Sequence, residues 1–297
     1  MLCFHGVQID AGATLVAPYA FSFAHSAAAS RFGLADDVAG ARELLTSYKL
    51  GFHLRAGRVT SPDRLMATAV LALNALRRGV PGDFVEAGVY RGLSAVLMMK
   101  AIVQVGAAAD GVHFFACDSF AGLPSVAEAE RSAETNCSRA IGNGTSCLGA
   151  VRGAYHSGVA LFMSNARAHV PEAWLSTRLH VVAGWFRQML PAPSMRRISF
   201  LRIDGDMYAS TRDALHSLYP LVTPGGLVYV DDYGSFSGCG KAVDVFLEER
   251  GCAAERPARI WENQADQGGW SRHARPSFEA VWWAKADERS CSRVRLA

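Results

Sequence analysis

Apolar and polar positions follow two periods along this chain. Short apolar runs of strand character recur between longer segments whose apolar residues repeat at helical spacing. "SPDRLMATAVLALNALRRG" predicts a helix, with Ser61 as its cap, Pro62 in the first turn and Gly79 as its stop. From Gly82 the two periods alternate. The strand "DFVEAGV" is followed by the helix "GLSAVLMMKAIVQVG" and the strand "VHFFACDSF". An irregular stretch from about Leu123 to Gly158 reads as a lid loop, since loops this long in compact domains are usually functional. A helix around "MSNARAHVPEAW" then leads to the strands "RLHVVAGWF" and "ISFLRIDGD". The helix "STRDALHSLYPLV" follows, and "TPGG" turns the chain into the strand "LVYVDD". The helix "GKAVDVFLEERG" ends at Gly251, and "ARIWEN" and "FEAVWWAKA" read as two closing strands.

Strands alternating with amphipathic helices predict an α/β fold with a mostly parallel sheet and helices on both faces. Residues 1–58 read as an N-terminal arm with one short helix in "DDVAGARELLTSYKLGFHL", and residues 59–297 as the α/β domain. The charge of +3 comes from 30 basic and 27 acidic residues, which argues against a nucleic-acid or anionic-membrane surface. No apolar run approaches the ~20 residues that span a bilayer. A soluble cytoplasmic protein is expected, with organelle targeting by the arm left open. The seven cysteines are odd in number and form no CxxC pair, which predicts reduced thiols. Cys137 and Cys147, in one polar loop, are the single pair kept open as a disulfide.

In an open α/β sheet, ligands bind beyond the carboxyl ends of the strands. Here those ends carry "EAGVYRG", "CDSF", "AGWF", "DGD" and "DD". Gly88 and Gly92 leave a bare strand-to-helix turn. The middle glycine of a dinucleotide fingerprint is replaced by Tyr90, and the acid Glu86 disfavours a pyrophosphate. Asp118 sits where a carboxylate can accept from ribose hydroxyls. Asp204, Asp206, Asp231 and Asp232 form the sharper pattern. Two carboxylates about 5 Å apart repel by roughly 3 kcal/mol at an effective dielectric near 20. Salt bridges from Arg202 or Lys241 could offset that repulsion, and so could a hard cation such as Mg²⁺, which takes oxygen ligands. No G-x-S-x-G elbow points to hydrolysis. His180 and His216 read as strand and helix residues, and Trp282 and Trp283 as core.

"GDFVEAGVYRG", "DSFAGLP", "LRIDGDMYASTRDALHSLYPLVTPGGLVYVDDYG" and "KAVDVF" resemble the macrocin O-methyltransferase family, over about Gly82 to Pro124 and Phe162 to Lys285. The resemblance implies the class I methyltransferase sheet, a Rossmann-like arrangement of seven strands with the last one antiparallel. It also implies S-adenosylmethionine and Mg²⁺ as cofactors. The metal ligands fall on Asp204, Asp231 and Asp232, and the general base on Asp206. Cofactor contacts fall on Glu86, Gly88, Tyr90, Arg91, Gly92, Asp118, Ser119, Gly184 and Trp185. The implied acceptor is a small hydroxylated molecule, a sugar or glycosylated natural product, with neither nucleic acid nor membrane as partner and with room for a homo-oligomer. A catechol or phenol acceptor, or a non-catalytic adenosine-binding subunit, are the alternatives. The chain departs from the family pattern at Tyr90 and Leu93, and at Gln188 and Met189.

Overall fold

A computed structural model describes residues 27–47, 60–125, 152–262 and 277–291. Its strands are β1 (Asp83–Ala87), β2 (Phe114–Asp118), β3 (Leu179–Ala183), β4 (Ile198–Ile203), β5 (Val222–Val230), β6 (Ala258–Glu262) and β7 (Ser277–Ala284). They pair in one sheet in the order β3-β2-β1-β4-β5-β7-β6. The first five are parallel, and β7 runs antiparallel to both β5 and β6. This is the seven-stranded class I arrangement that the resemblance implies. Every residue of β4 is buried, and β1 and β2 are buried over four of their five residues. Buried on both faces, such strands read as near-continuous apolar runs.

The helices are α1 (Ala27–Phe32), α2 (Val38–Thr46), α3 (Pro62–Arg77), α4 (Leu93–Val105), α5 (Val159–Arg167), α6 (Glu172–Arg178), α7 (Phe186–Met189), α8 (Tyr208–Leu218) and α9 (Ser237–Arg250). Two apolar cores result, one per face of the sheet. The first gathers Phe84, Phe114, Phe200 and Trp282 with α3 and α4. The second gathers Val85, Phe115, Leu201 and Trp283 with α8 and α9. The adjacent tryptophans therefore point to opposite cores, as the two-residue strand period requires. The Ser61 hydroxyl caps α3 by accepting from the Arg64 amide at 3.2 Å. The described part of the N-terminal arm is tied to α3 through Asp37, which accepts from Asn74 at 2.8 Å and from Arg77 at 3.0 Å. Among the described residues, no helix is long and apolar enough to cross a membrane.

Three details differ from expectation. The single helix expected around "MSNARAHVPEAW" is two, α5 and α6, because Pro171 cannot continue the first and instead precedes the second. Strand β5 begins at Val222, upstream of "TPGG", and pairing jumps from Ile198↔Val222 to Phe200↔Leu227. The "TPGG" residues are thus a bulge inside the strand, with Gly225 at φ +84°. The expectation of reduced thiols is corrected by a disulfide between Cys252 and Cys291, 39 residues apart. Arg250, which bridges Glu255 at 3.1 Å and Glu288 at 3.0 Å, draws the end of α9 and the tail beyond β7 together beside that bond. Cys117 and Cys239 are free and buried. Cys137 and Cys147, most of the expected lid and "QADQGGWSRHARPS" lie outside the described residues.

Candidate functional site

The ladder continues one step past the strand ends and sets the site residues in a row. The amide of Asp204 donates to Ala87 and that of Gly88 to Cys117, both at 2.8 Å. Gly184 donates to Asp118 at 2.8 Å and Asp231 to Ile203 at 2.9 Å. Above this row opens a cavity of about 840 Å³. Of the residues expected there, Gly88, Tyr90, Asp118, Ser119, Gly184, Trp185, Asp204, Asp206, Asp231 and Asp232 line it. Glu86, Arg91 and Gly92 do not. Glu86 is fully buried and accepts from Ser94 at 2.5 Å and from Arg202 at 2.7 Å. Arg91 lies over the Tyr90 ring at 5.0 Å, and Gly92 faces Phe162.

Arg202 organises the acids. The register places Glu86, Arg202 and Tyr229 side by side on β1, β4 and β5. The Arg202 Nη1 donates to Glu86 and to Asp204, each at 2.7 Å, and Nη2 donates to Asp231 at 2.7 Å. Its guanidinium carbon sits 5.0 Å from the centre of the Tyr229 ring. The salt bridge weighed for Arg202 therefore exists. Lys241 is exposed on α9. Asp231 Oδ1 also accepts from the Tyr229 hydroxyl at 2.8 Å, and Oδ2 accepts from Arg64 Nη1 at 2.6 Å. Burial acts to raise Asp231, but Arg202 and Arg64 outweigh it and hold this carboxyl below the ordinary range.

The other three aspartates behave in the opposite way. Burial, and then the charge of Asp231, pushes Asp204 up. Burial and Asp204 push Asp206 well up, and burial with Asp206 and Asp204 does the same to Asp232. One oxygen from each of Asp204, Asp206 and Asp232 lies within 4.8 Å of the others. Asp232 Oδ2 is buried and has no hydrogen-bond partner among the described residues. Clustered oxygens with an orphaned buried acceptor fit a hard divalent cation. Asp206 is held at φ +56°, where a non-glycine residue is strained, and such strain concentrates at functional sites.

Asp118 builds the wall beside the acids. Its Oδ2 accepts from the amides of Val89 at 2.7 Å and Tyr90 at 2.8 Å, and Oδ1 accepts from Phe120 at 2.7 Å. These bonds fix the turn in which Tyr90 takes φ +49°. The Tyr90 ring meets Tyr155 edge to face at 5.8 Å. Tyr155 stands in the described end of the loop expected to form a lid, where Leu123 and Gly153–Ala154 pair through their backbones. Burial, then the charges of Asp206, Asp232 and Asp204, raises the Tyr155 phenol to about 12, so it stays protonated facing the acids.

Sequence reasoning missed Arg64, Glu279, Tyr208, Ser235 and Phe236, all of which line the cavity. Arg64 carried a signal. It stands in the first turn of α3, where the helix dipole favours acids, so a cation there needs another reason. Glu279 was equally visible as the one acid inside an apolar closing strand.

Comparison with known proteins gives this arrangement a context. The family model described as Macrocin-O-methyltransferase (TylF) matches residues 56–148 and 166–258. The 8-demethyl-8-(2,3-dimethoxy-alpha-L-rhamnosyl)-tetracenomycin-C 4'-O-methyltransferase of Streptomyces olivaceus is 35% identical over 170 residues, 57% of this chain and 59% of that protein. The mycinamicin III 3''-O-methyltransferase of Micromonospora griseorubida is 32% identical over 187 residues, 61% of this chain and 66% of that one. The chain thus spans less than two thirds of the length of these curated relatives. The structure of the O-methyltransferase NovP matches with a TM-score of 0.59 at 25% identity, over 76% of this chain and 80% of that one.

Proposed function

The chain belongs to the macrocin O-methyltransferase family, and from that premise we propose that it transfers the methyl group of S-adenosylmethionine to a hydroxyl of a sugar or glycosylated natural product, with Mg²⁺ at the acid cluster. The observation that carries this reading is the convergence of Asp204, Asp206 and Asp232 in the cavity, with Asp232 Oδ2 buried and without a hydrogen-bond partner among the described residues. The names of the relatives, which are O-methyltransferases of glycosylated compounds, support the acceptor class.

When bound, S-adenosylmethionine supplies an electrophilic methyl group, and Mg²⁺ supplies Lewis acidity that eases deprotonation of a nearby hydroxyl. Asp204, Asp231 and Asp232 would hold the cation. Asp231 would take part through Oδ2, whose bond to Arg64 leaves it a second lone pair, while the oxygens that converge within 4.8 Å are those of Asp204, Asp206 and Asp232. Asp206 takes the hydroxyl proton at its carboxylate. A positioned base of this kind contributes about 10²- to 10⁴-fold. Gly88 and Gly184 line the cavity where the methyl donor would lie, and each packs its bare Cα against this chain, Gly88 on Asp204 and Gly184 on Met189. Trp185, 41% exposed, offers a ring face to an adenine. Tyr155, Tyr208 and Phe236 give the acceptor side flat apolar faces, and Ser235 and Glu279 give it polar partners. The cytoplasm is the proposed setting.

Calorimetric titration of S-adenosylmethionine, with and without Mg²⁺ and with NAD as control, tests the class. Binding of the methyl donor and not of NAD is expected, followed by methyl transfer to glycosylated acceptors. Absence of S-adenosylmethionine binding under both conditions contradicts the reading.

A further inference from the structure

Arg64 lies on α3, outside the acid-rich strand ends, yet it reaches the centre of the site. The side chain is 7% exposed. Its Nη1 donates to Asp231 Oδ2 at 2.6 Å and stands 4.0 Å from Asp232 Oδ1, while Nη2 lies 3.0 Å from Glu279 on β7. On the far side of the same carboxylate, Arg202 Nη2 holds Asp231 Oδ1 at 2.7 Å. Asp231 is therefore gripped by two guanidiniums from opposite sides, one on the sheet and one on a helix.

The two grips are not equivalent. Arg202 is fully buried and shared with Glu86 and Asp204, so it belongs to the sheet's interior. Arg64 lines the cavity and joins α3 to Asp231, just past the end of β5, and to Glu279 on β7. A planar guanidinium can span two carboxylates in fixed geometry, which an ammonium cannot. It also places a positive charge beside the acids while leaving Asp232 Oδ2 without a hydrogen-bond partner among the described residues.

We propose that Arg64 is a positioning residue of the methyl-transfer site. It fixes the Asp231 carboxylate against Arg202, and its charge limits how tightly the acid cluster grips a divalent cation. The role rests on the function proposed above. A residue that only stabilised the fold would weaken metal binding and turnover together when lost. Arg64 instead makes them move in opposite directions. Without its charge the acids attract a cation more strongly, whereas the misaligned Asp231 slows turnover.

The test compares wild type, Arg64→Gln and Arg64→Lys, each confirmed as folded by circular dichroism. Mn²⁺ binding to the apoprotein is measured by electron paramagnetic resonance, alongside kcat and KM for methyl transfer. Arg64→Gln should bind Mn²⁺ several-fold more tightly, as loss of a like charge requires. Its kcat should fall about 10- to 100-fold, the range typical of losing a group that orients a metal ligand, with KM for S-adenosylmethionine nearly unchanged. Arg64→Lys should return Mn²⁺ affinity to near the wild-type value and recover part of kcat. Weaker Mn²⁺ binding in Arg64→Gln, or an unchanged kcat, overturns the proposal. A wild type that binds Mn²⁺ but transfers no methyl group contradicts the proposed function instead, and the Mn²⁺ comparison still decides whether Arg64 tunes the acids.

Discussion

Gly88 and Asp204 pass so closely that a β-carbon on the glycine would sit 1.8 Å from the aspartate's carbonyl oxygen. The turn after β1 and the first acid after β4 are therefore one packed unit, and Gly88 also carries φ +98°. Gly88→Ala must displace Asp204 and strain the turn. A loss of about 3 kcal/mol or more is expected, with S-adenosylmethionine affinity falling alongside. Thermal denaturation and calorimetry check both, and a stable variant with native affinity contradicts the tight approach.

Asp206→Asn should abolish turnover while leaving methyl-donor affinity nearly intact. The substitution keeps shape and removes the proton acceptor, so the loss belongs in kcat. Strong loss of S-adenosylmethionine affinity would contradict the role of base.

Burial outweighs Arg202 and Ser94 and pushes the Glu86 carboxyl up to about 8, so it stays protonated through neutral pH. Glu86→Gln should then cost no more than about 1 kcal/mol, because a neutral isostere preserves the contacts. Glu86→Ala should cost about 3 kcal/mol, since Arg202 loses a partner in a dry interior. Equal damage from both variants would mean that Arg202 needs the charge.

At the other end of the sheet, His113 Nδ1 and His180 Nε2 are 2.8 Å apart, and His180 stacks on Phe115 at 4.5 Å. Burial, then the neighbouring His113, lowers the His180 pKa, against a weaker pull from Asp83. The unfolded chain thus binds this proton more readily than the folded one. The stability contribution of His180 is present above about pH 6.5 and is lost as pH falls from there toward its lower folded value. Melting temperature should fall more steeply below about pH 6.5 in wild type than in His113→Gln. Parallel pH profiles would contradict the coupling.

The sheet was legible because its strands are buried on both faces and its helices carry clear stops such as Gly79 and Gly251. The acids were legible because strand ends are where α/β folds bind ligands. Glu86 was harder to place, although the strand period already sets it on the face of Phe84, toward the interior and away from the ligand edge. Arg64 was hidden for a different reason. Its partners lie just past β5 and on β7, 167 and 215 residues further on, and no local pattern encodes that meeting. The Cys252–Cys291 disulfide was missed likewise, because spacing says nothing about two chain segments that only the folded sheet brings side by side.

The most direct measurement is transfer of labelled methyl from S-adenosylmethionine to a glycosylated acceptor, in excess chelator and after Mg²⁺ is restored, for wild type and Asp232→Ala. Asp232 carries the buried oxygen with no partner among the described residues, so it should be the least replaceable ligand. Wild-type transfer should vanish with chelator and return with Mg²⁺, and Asp232→Ala should stay inactive in both. Full wild-type transfer in excess chelator would contradict a cation at the acid cluster.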